Sequence, residues 1–108
     1  FDACIALDGW LVPIEQSIIK SGLTVPFLFM GQAQWENPLN YNNLDSLIAS
    51  STGVAEKLIL SGTKHFDFSD TPQFSSASKK FGISGSMEMD KLRNLLNTRI
   101  ISFFKEYL

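Results

Sequence analysis

Unbroken apolar runs alternate along this chain with apolar residues set at helical spacing. Residues 3–7 (ACIAL) are apolar throughout and flanked by Asp2 and Asp8. Without polar alternation, this run predicts a strand covered on both faces, as in a parallel sheet. In PIEQSIIKSG, Pro13 is expected to start a short helix and Gly22 to end it, with Ile14, Ile18 and Ile19 on one face. VPFLFMG (25–31) predicts a second buried strand, with Pro26 at its start, where a missing N–H is tolerated. The polar stretch QAQWENPLNYNN leads to a helical segment carrying Leu44, Leu47 and Ile48 on one face, with Gly53 as its stop. AEKLILSG (55–62) predicts a third strand. Ser86 is expected to cap the last helix, with Glu88 and Asp90 opposing the helix dipole in its first turn. Met89, Leu92, Leu96, Ile100, Phe103 and Tyr107 then recur every three or four residues, a stripe that reads as core packing rather than a membrane or partner face.

The order β–α–β–α–β–loop–α predicts an α/β fold: a mostly parallel sheet flanked by helices, joined by right-handed crossovers. In open sheets of this kind, functional residues gather beyond the C-terminal ends of the strands. Asp8 follows the first strand directly. His65, the only histidine, follows the third by a short loop in GTKHFDFSDTP. Far apart in sequence, the two are expected to emerge on one edge of the sheet.

Composition narrows the function classes. A chain of 108 residues makes one domain at most, and 44% hydrophobic content with nine Phe argues for a packed chain. A net charge of −2 and the lack of a basic run speak against a nucleic-acid partner. The single cysteine, Cys4, has no internal disulfide partner and reads as a small buried hydrophobe in the first strand. No apolar run approaches the roughly 20 residues of a membrane-spanning helix. The sequence opens FDACIALDGW, directly in a core strand and without an initiator Met, so it is expected to be the C-terminal part of something larger.

An acid and a histidine in this order suit nucleophilic hydrolysis. The histidine accepts the nucleophile's proton, and the carboxylate fixes the imidazole tautomer and stabilises the imidazolium. In α/β-hydrolases the chain order is nucleophile, acid, histidine, and Asp8 then His65 match the last two. SSTGV, LSGTK and GISGSM all lack the G-x-S-x-G spacing, so the nucleophile and its oxyanion donors are expected before Phe1. Plainer alternatives stand beside this one. Asp8 also suits a strand-end aspartate bonding its own turn beside Gly9, and His65 an ordinary loop histidine. His65, Asp67 and Asp70 also suggest a metal site, although no second histidine or cysteine lies near and the acids suit turn caps equally.

ALDGWLVPI, PFLFMGQ and GTKHFDFSDTPQF together resemble the C-terminal part of the platelet-activating factor acetylhydrolases. This is the plasma and intracellular type II family, also called lipoprotein-associated phospholipase A2. The resemblance implies that residues 1–108 form the C-terminal portion of one α/β-hydrolase domain whose nucleophile-bearing part is absent. It implies Asp8 as triad acid and His65 as triad base. The loop after the second strand offers Gln32, Gln34 and Glu36 but no aspartate, and Glu36 is the alternative acid. The implied reaction is calcium-independent hydrolysis of a short or oxidised sn-2 acyl ester of a phospholipid (1-alkyl-2-acetylglycerophosphocholine esterase activity), with no metal or organic cofactor. The segment alone is expected to be inactive. Trp10 and Phe66 are placed to line an acyl pocket or simply to pack. Phe74, Lys79, Lys80, Phe81 and Ile83 suit either an interfacial surface that meets a membrane or lipoprotein, or ordinary surface. The rival expectations are a non-catalytic α/β domain that binds lipid or protein through the same sheet edge, and another esterase of the same fold.

Overall fold

The structure, a computed structural model, describes residues 1–75 and 77–108. Three parallel strands, β1 (Cys4–Leu7), β2 (Phe27–Gln32) and β3 (Ala55–Leu60), lie in the order β1-β2-β3. Helix α1 (Gln16–Ser21) joins the first pair and α2 (Leu39–Ser50) the second. Both pack on the same face of the sheet, as same-handed crossovers require. Beyond β3 come a 3₁₀ turn (His65–Phe68), a single helical turn α3 (Thr71–Phe74) and the long helix α4 (Met89–Tyr107).

The central strand carries the core. Phe27, Leu28, Phe29 and Met30 are all buried, and period-two alternation sends them to opposite faces. Phe27 and Phe29 meet Leu11, Ile19 of α1, and Leu44 and Leu47 of α2. Leu28 and Met30 meet Phe103 of α4, with Leu95, Leu96, Ile100 and Tyr107 closing around them. Each such fully buried side chain contributes about 1.5–3 kcal/mol. In the stripe predicted for α4, Leu92 and Phe103 are fully buried.

Several sequence expectations need correcting. β1 is the edge of this three-stranded sheet, paired only with β2; Ala6 packs on one core cluster and Ile5 on the other, so both faces are partly covered while the strand's ends are open. Cys4 and Leu7 are consequently exposed, and Cys4 is not a buried hydrophobe. Pro13 lies in a turn and α1 begins at Gln16, because Leu11 O first accepts Ile14 N in a tight turn. Helix α2 stops at Ser50, before Gly53: the Ser51 hydroxyl donates to Leu47 O and accepts Leu23 N, which ends the helix and ties down the α1–β2 connection. At α4 the cap is Glu88 rather than Ser86, its carboxylate accepting the main-chain N–H groups of Asp90 and Lys91. That satisfies two of the donors a helix leaves unpaired at its start.

Candidate active site

The site begins where β1 ends. Leu7 pairs with Met30, and one step on Asp8 N–H donates to Met30 O at 2.6 Å. There the chain turns sharply, with Asp8 in the left-handed region at φ 48°. Aspartate tolerates that conformation better than most residues. The turn carries its carboxylate inward, over the end of β2, where it is completely buried. Gly31 leaves the space for it.

A buried carboxylate is costly unless its oxygens are satisfied. Asp8 Oδ1 accepts Gln32 N–H at 2.9 Å and the Trp35 indole N–H at 3.1 Å. Oδ2 accepts Gln32 Nε2 at 2.9 Å and lies 2.8 Å from Nδ1 of His65. Four donors therefore converge on one acid, two of them from a residue just beyond β1's pairing partner. Tyr41 donates to Gln32 O and so holds that residue from behind. Burial, and then the nearby Asp8 carboxylate, push the Tyr41 phenol up to about 12 against an opposing pull from Trp35, so it remains a donor at ordinary pH.

The segment after Asp8 is clamped by α2. Asn40 accepts Leu11 N–H at 2.6 Å and donates to Gly9 O, and Asn43 donates to Leu11 O at 3.0 Å. Both asparagines are buried. They serve as main-chain partners for a loop that has no strand to pair with.

His65 comes from the other side of the site. Thr63 Oγ1 donates to Leu60 O where β3 ends, and Gly62 supplies a positive φ of 77°. The carboxylate of Asp67 then accepts Lys64 N–H and Gly85 N–H, both at 2.8 Å, fastening the His65 turn to the segment before α4. The imidazole contacts two aromatic rings, its centroid 5.8 Å from Trp35 and 5.6 Å from Phe66, both edge-on. Its side chain is 56% exposed while that of Asp8 is wholly buried. A carboxylate only accepts, so Nδ1 carries the proton and Nε2 presents its lone pair outward.

The imidazole borders a cleft of about 1170 Å³, which Trp10, Phe66, Trp35, Lys64 and Ile83 also line. Of the sequence-predicted residues, Asp8 and His65 meet, and Trp10, Phe66 and Ile83 face the same cleft as His65. Glu36 lies on its rim, but the histidine's hydrogen bond goes to Asp8. Phe74, Lys79, Lys80 and Phe81 do not line the cleft; they are exposed on the segment beyond it. Among the described residues, no group of three His, Cys, Asp or Glu side chains is placed to hold a metal ion, and Asp67 turns to main-chain N–H groups. No helix among them is long and apolar enough to cross a membrane.

Sequence reasoning passed over Gln32 and Trp35 as acid partners, and Asn40 and Asn43 as loop clamps. Asn40 and Asn43 were detectable in principle, because they share the helical face of Leu44 and Leu47, where polar residues need partners. Gln32 is the polar last residue of β2 and Trp35 sits in the polar loop after it, where no periodicity marks either as an acid partner.

A family profile described as "Platelet-activating factor acetylhydrolase, isoform II" matches residues 1–108. The chain belongs to that family. It is 25% identical over 111 residues to a platelet-activating factor acetylhydrolase of Gallus gallus, covering all of this chain and 26% of that protein. The chain thus spans about a quarter of the length of this curated relative. Among solved structures it is similar to a ferulic acid esterase from Streptomyces cinnamoneus, with TM-score 0.75 and 22% identity over 99% of this chain and 33% of that one. The fold is of the α/β-hydrolase type, and the Asp8 and His65 positions lie beyond the carboxyl ends of its parallel strands.

Proposed function

We propose that this chain supplies the acid and base of a platelet-activating factor acetylhydrolase-type ester hydrolase. The substrate is a phospholipid with a short or oxidised sn-2 acyl chain. The observation that carries this reading is the 2.8 Å contact between buried Asp8 Oδ2 and His65 Nδ1, with the imidazole open to a cleft. Family membership supports the ester and lipid classes.

In this reading the nucleophilic serine comes from outside residues 1–108. Its hydroxyl attacks the sn-2 carbonyl as Nε2 of His65 takes its proton, and Asp8 stabilises the imidazolium. The imidazolium then protonates the departing glycerol oxygen, leaving an acyl-serine. Water attacks next, giving a proton to Nε2; the imidazolium returns that proton to the serine oxygen as the acyl–oxygen bond breaks, and the carboxylic acid departs. No step calls for a metal or organic cofactor. Trp10 and Phe66 form apolar walls for the acyl chain, and exposed Phe74 and Phe81 beside Lys79 and Lys80 suit a lipid headgroup boundary.

The test is hydrolysis by the complete protein of 1-alkyl-2-acetylglycerophosphocholine, of a long-chain sn-2 analogue and of a feruloyl ester. Preference for the acetyl phospholipid supports the reading. Preference for the feruloyl ester would keep the esterase and discard the lipid. Failure to hydrolyse any of the three esters would overturn it.

A further inference from the structure

An acid–base pair works only if its two members are held in one orientation relative to each other. The χ2 torsion of aspartate is broad and roughly two-fold, and that of histidine likewise. Gln32 gives one donor to each carboxylate oxygen, which clamps Asp8 but touches nothing of His65. Phe66 meets the imidazole, yet it is half-exposed and meets nothing of the acid. Trp35 reaches both: its indole N–H donates to Asp8 Oδ1 at 3.1 Å, and its ring lies edge-on to His65 with centroids 5.8 Å apart.

We propose that Trp35 is a positioning residue that sets the acid and the histidine relative to each other through one rigid side chain. Its N–H holds Oδ1, which leaves Oδ2 facing Nδ1. The same bond anchors the indole, so its edge is a fixed wall against imidazole rotation. Phe66 supplies a second edge-on ring against the imidazole. The proposal rests on Asp8 and His65 being the acid and base of the function proposed above.

In the complete enzyme, Trp35→Phe removes the donor and keeps an aromatic edge, while Trp35→Ala removes both. Trp35→Phe is expected to lower kcat about tenfold and Trp35→Ala toward 10²-fold, as small misplacements of reacting groups do. KM is read beside kcat because Trp35 also lines the cleft; a loss carried by KM alone, with the His65 Nδ1–H resonance unchanged, would make Trp35 a cleft wall and overturn the positioning role. The low-field proton resonance of His65 Nδ1–H should be sharp in the unaltered protein and broadened by exchange with water in both variants. Unchanged kcat together with an unchanged resonance would overturn the proposal. If the unaltered protein hydrolyses no ester, the functional reading fails and the resonance comparison alone decides the positioning role. If the variants fail to fold, indole N–H exchange in the unaltered protein decides, with exposed Trp10 as reference. Slower exchange at Trp35 than at Trp10 supports the bond to Asp8; equal rates overturn it.

Discussion

A Cβ placed on Gly31 would stand 2.7 Å from Oδ1 of Asp8 and 2.5 Å from the Phe29 ring. Gly31 therefore makes room for the acid, and its backbone φ is not what demands glycine. Gly31→Ala must push either the acid off its donors or the ring out of the core. Overpacking of this kind costs about 1–3 kcal/mol. The expected outcome is a lower urea midpoint, joined by a reduced kcat where the acid rather than the ring gives way. Unchanged stability and unchanged kcat would show that Asp8 does not occupy this space in solution.

Under the proposed function, the effect of losing the histidine is larger and falls on catalysis rather than on stability. His65 is half-exposed, so truncation leaves no cavity in the core. In the complete enzyme His65→Ala should lower kcat by something on the order of 10⁶, as removal of other triad bases does. Asp8→Asn should cost on the order of 10⁴, because an amide facing Nδ1 favours the wrong tautomer. Steady-state rates on the acetyl phospholipid, with the melting curve as control, read both. A loss under about tenfold for His65→Ala would place the base elsewhere.

Much of this arrangement was legible before the structure. Residues 25–31 announced β2 because a strand buried on both faces must be apolar throughout, and Phe27–Met30 are. Asp8 and His65 were expected on one sheet edge from strand-end placement, and their side chains meet there. The first apolar run gave a strand whose Ala6 and Ile5 pack on opposite faces, but apolarity does not report how deeply each residue sits; Cys4 and Leu7 are exposed. Trp35 was invisible for another reason. Its role depends on where the loop after β2 returns in space, and no local pattern encodes that. Glu88 was read as a first-turn carboxylate when it is the cap, a shift of position that spacing cannot distinguish from Ser86.

Glu88 gives a pH-dependent consequence with a definite sign. The main-chain N–H groups of Asp90 and Lys91 hold its carboxyl below the usual glutamate range in the folded protein. A carboxyl with a depressed folded value stabilises the fold at pH above its unfolded value, and that contribution fades as pH falls through the folded one. Glu88→Gln keeps an acceptor and removes the charge, so it should lower stability near neutral pH and little at strongly acid pH. Urea midpoints from about pH 7 down to about pH 3 should therefore converge for the two proteins. A constant gap across that range would show that the charge contributes nothing to the cap.

Phe81 separates the lipid-surface proposal from ordinary exposure. The residue is 78% exposed, on the segment between the His65 turn and α4, and it lies off the cleft that His65 borders. Nothing in the packing of the fold requires a phenyl ring there. If the ring enters a headgroup boundary, burying it contributes about 1.5–3 kcal/mol, which is roughly ten- to hundredfold in partitioning. Phe81→Asp in the complete enzyme should then weaken binding to phosphatidylcholine vesicles by at least that factor. Hydrolysis of a water-soluble acetyl ester should be unaffected, because the acid, the base and the cleft walls are untouched. The measurement is a vesicle sedimentation assay run beside the soluble-ester assay on one preparation. Unchanged sedimentation would remove Phe81 from any lipid surface, whereas parallel loss of soluble-ester activity would mean that the segment supports the His65 turn instead.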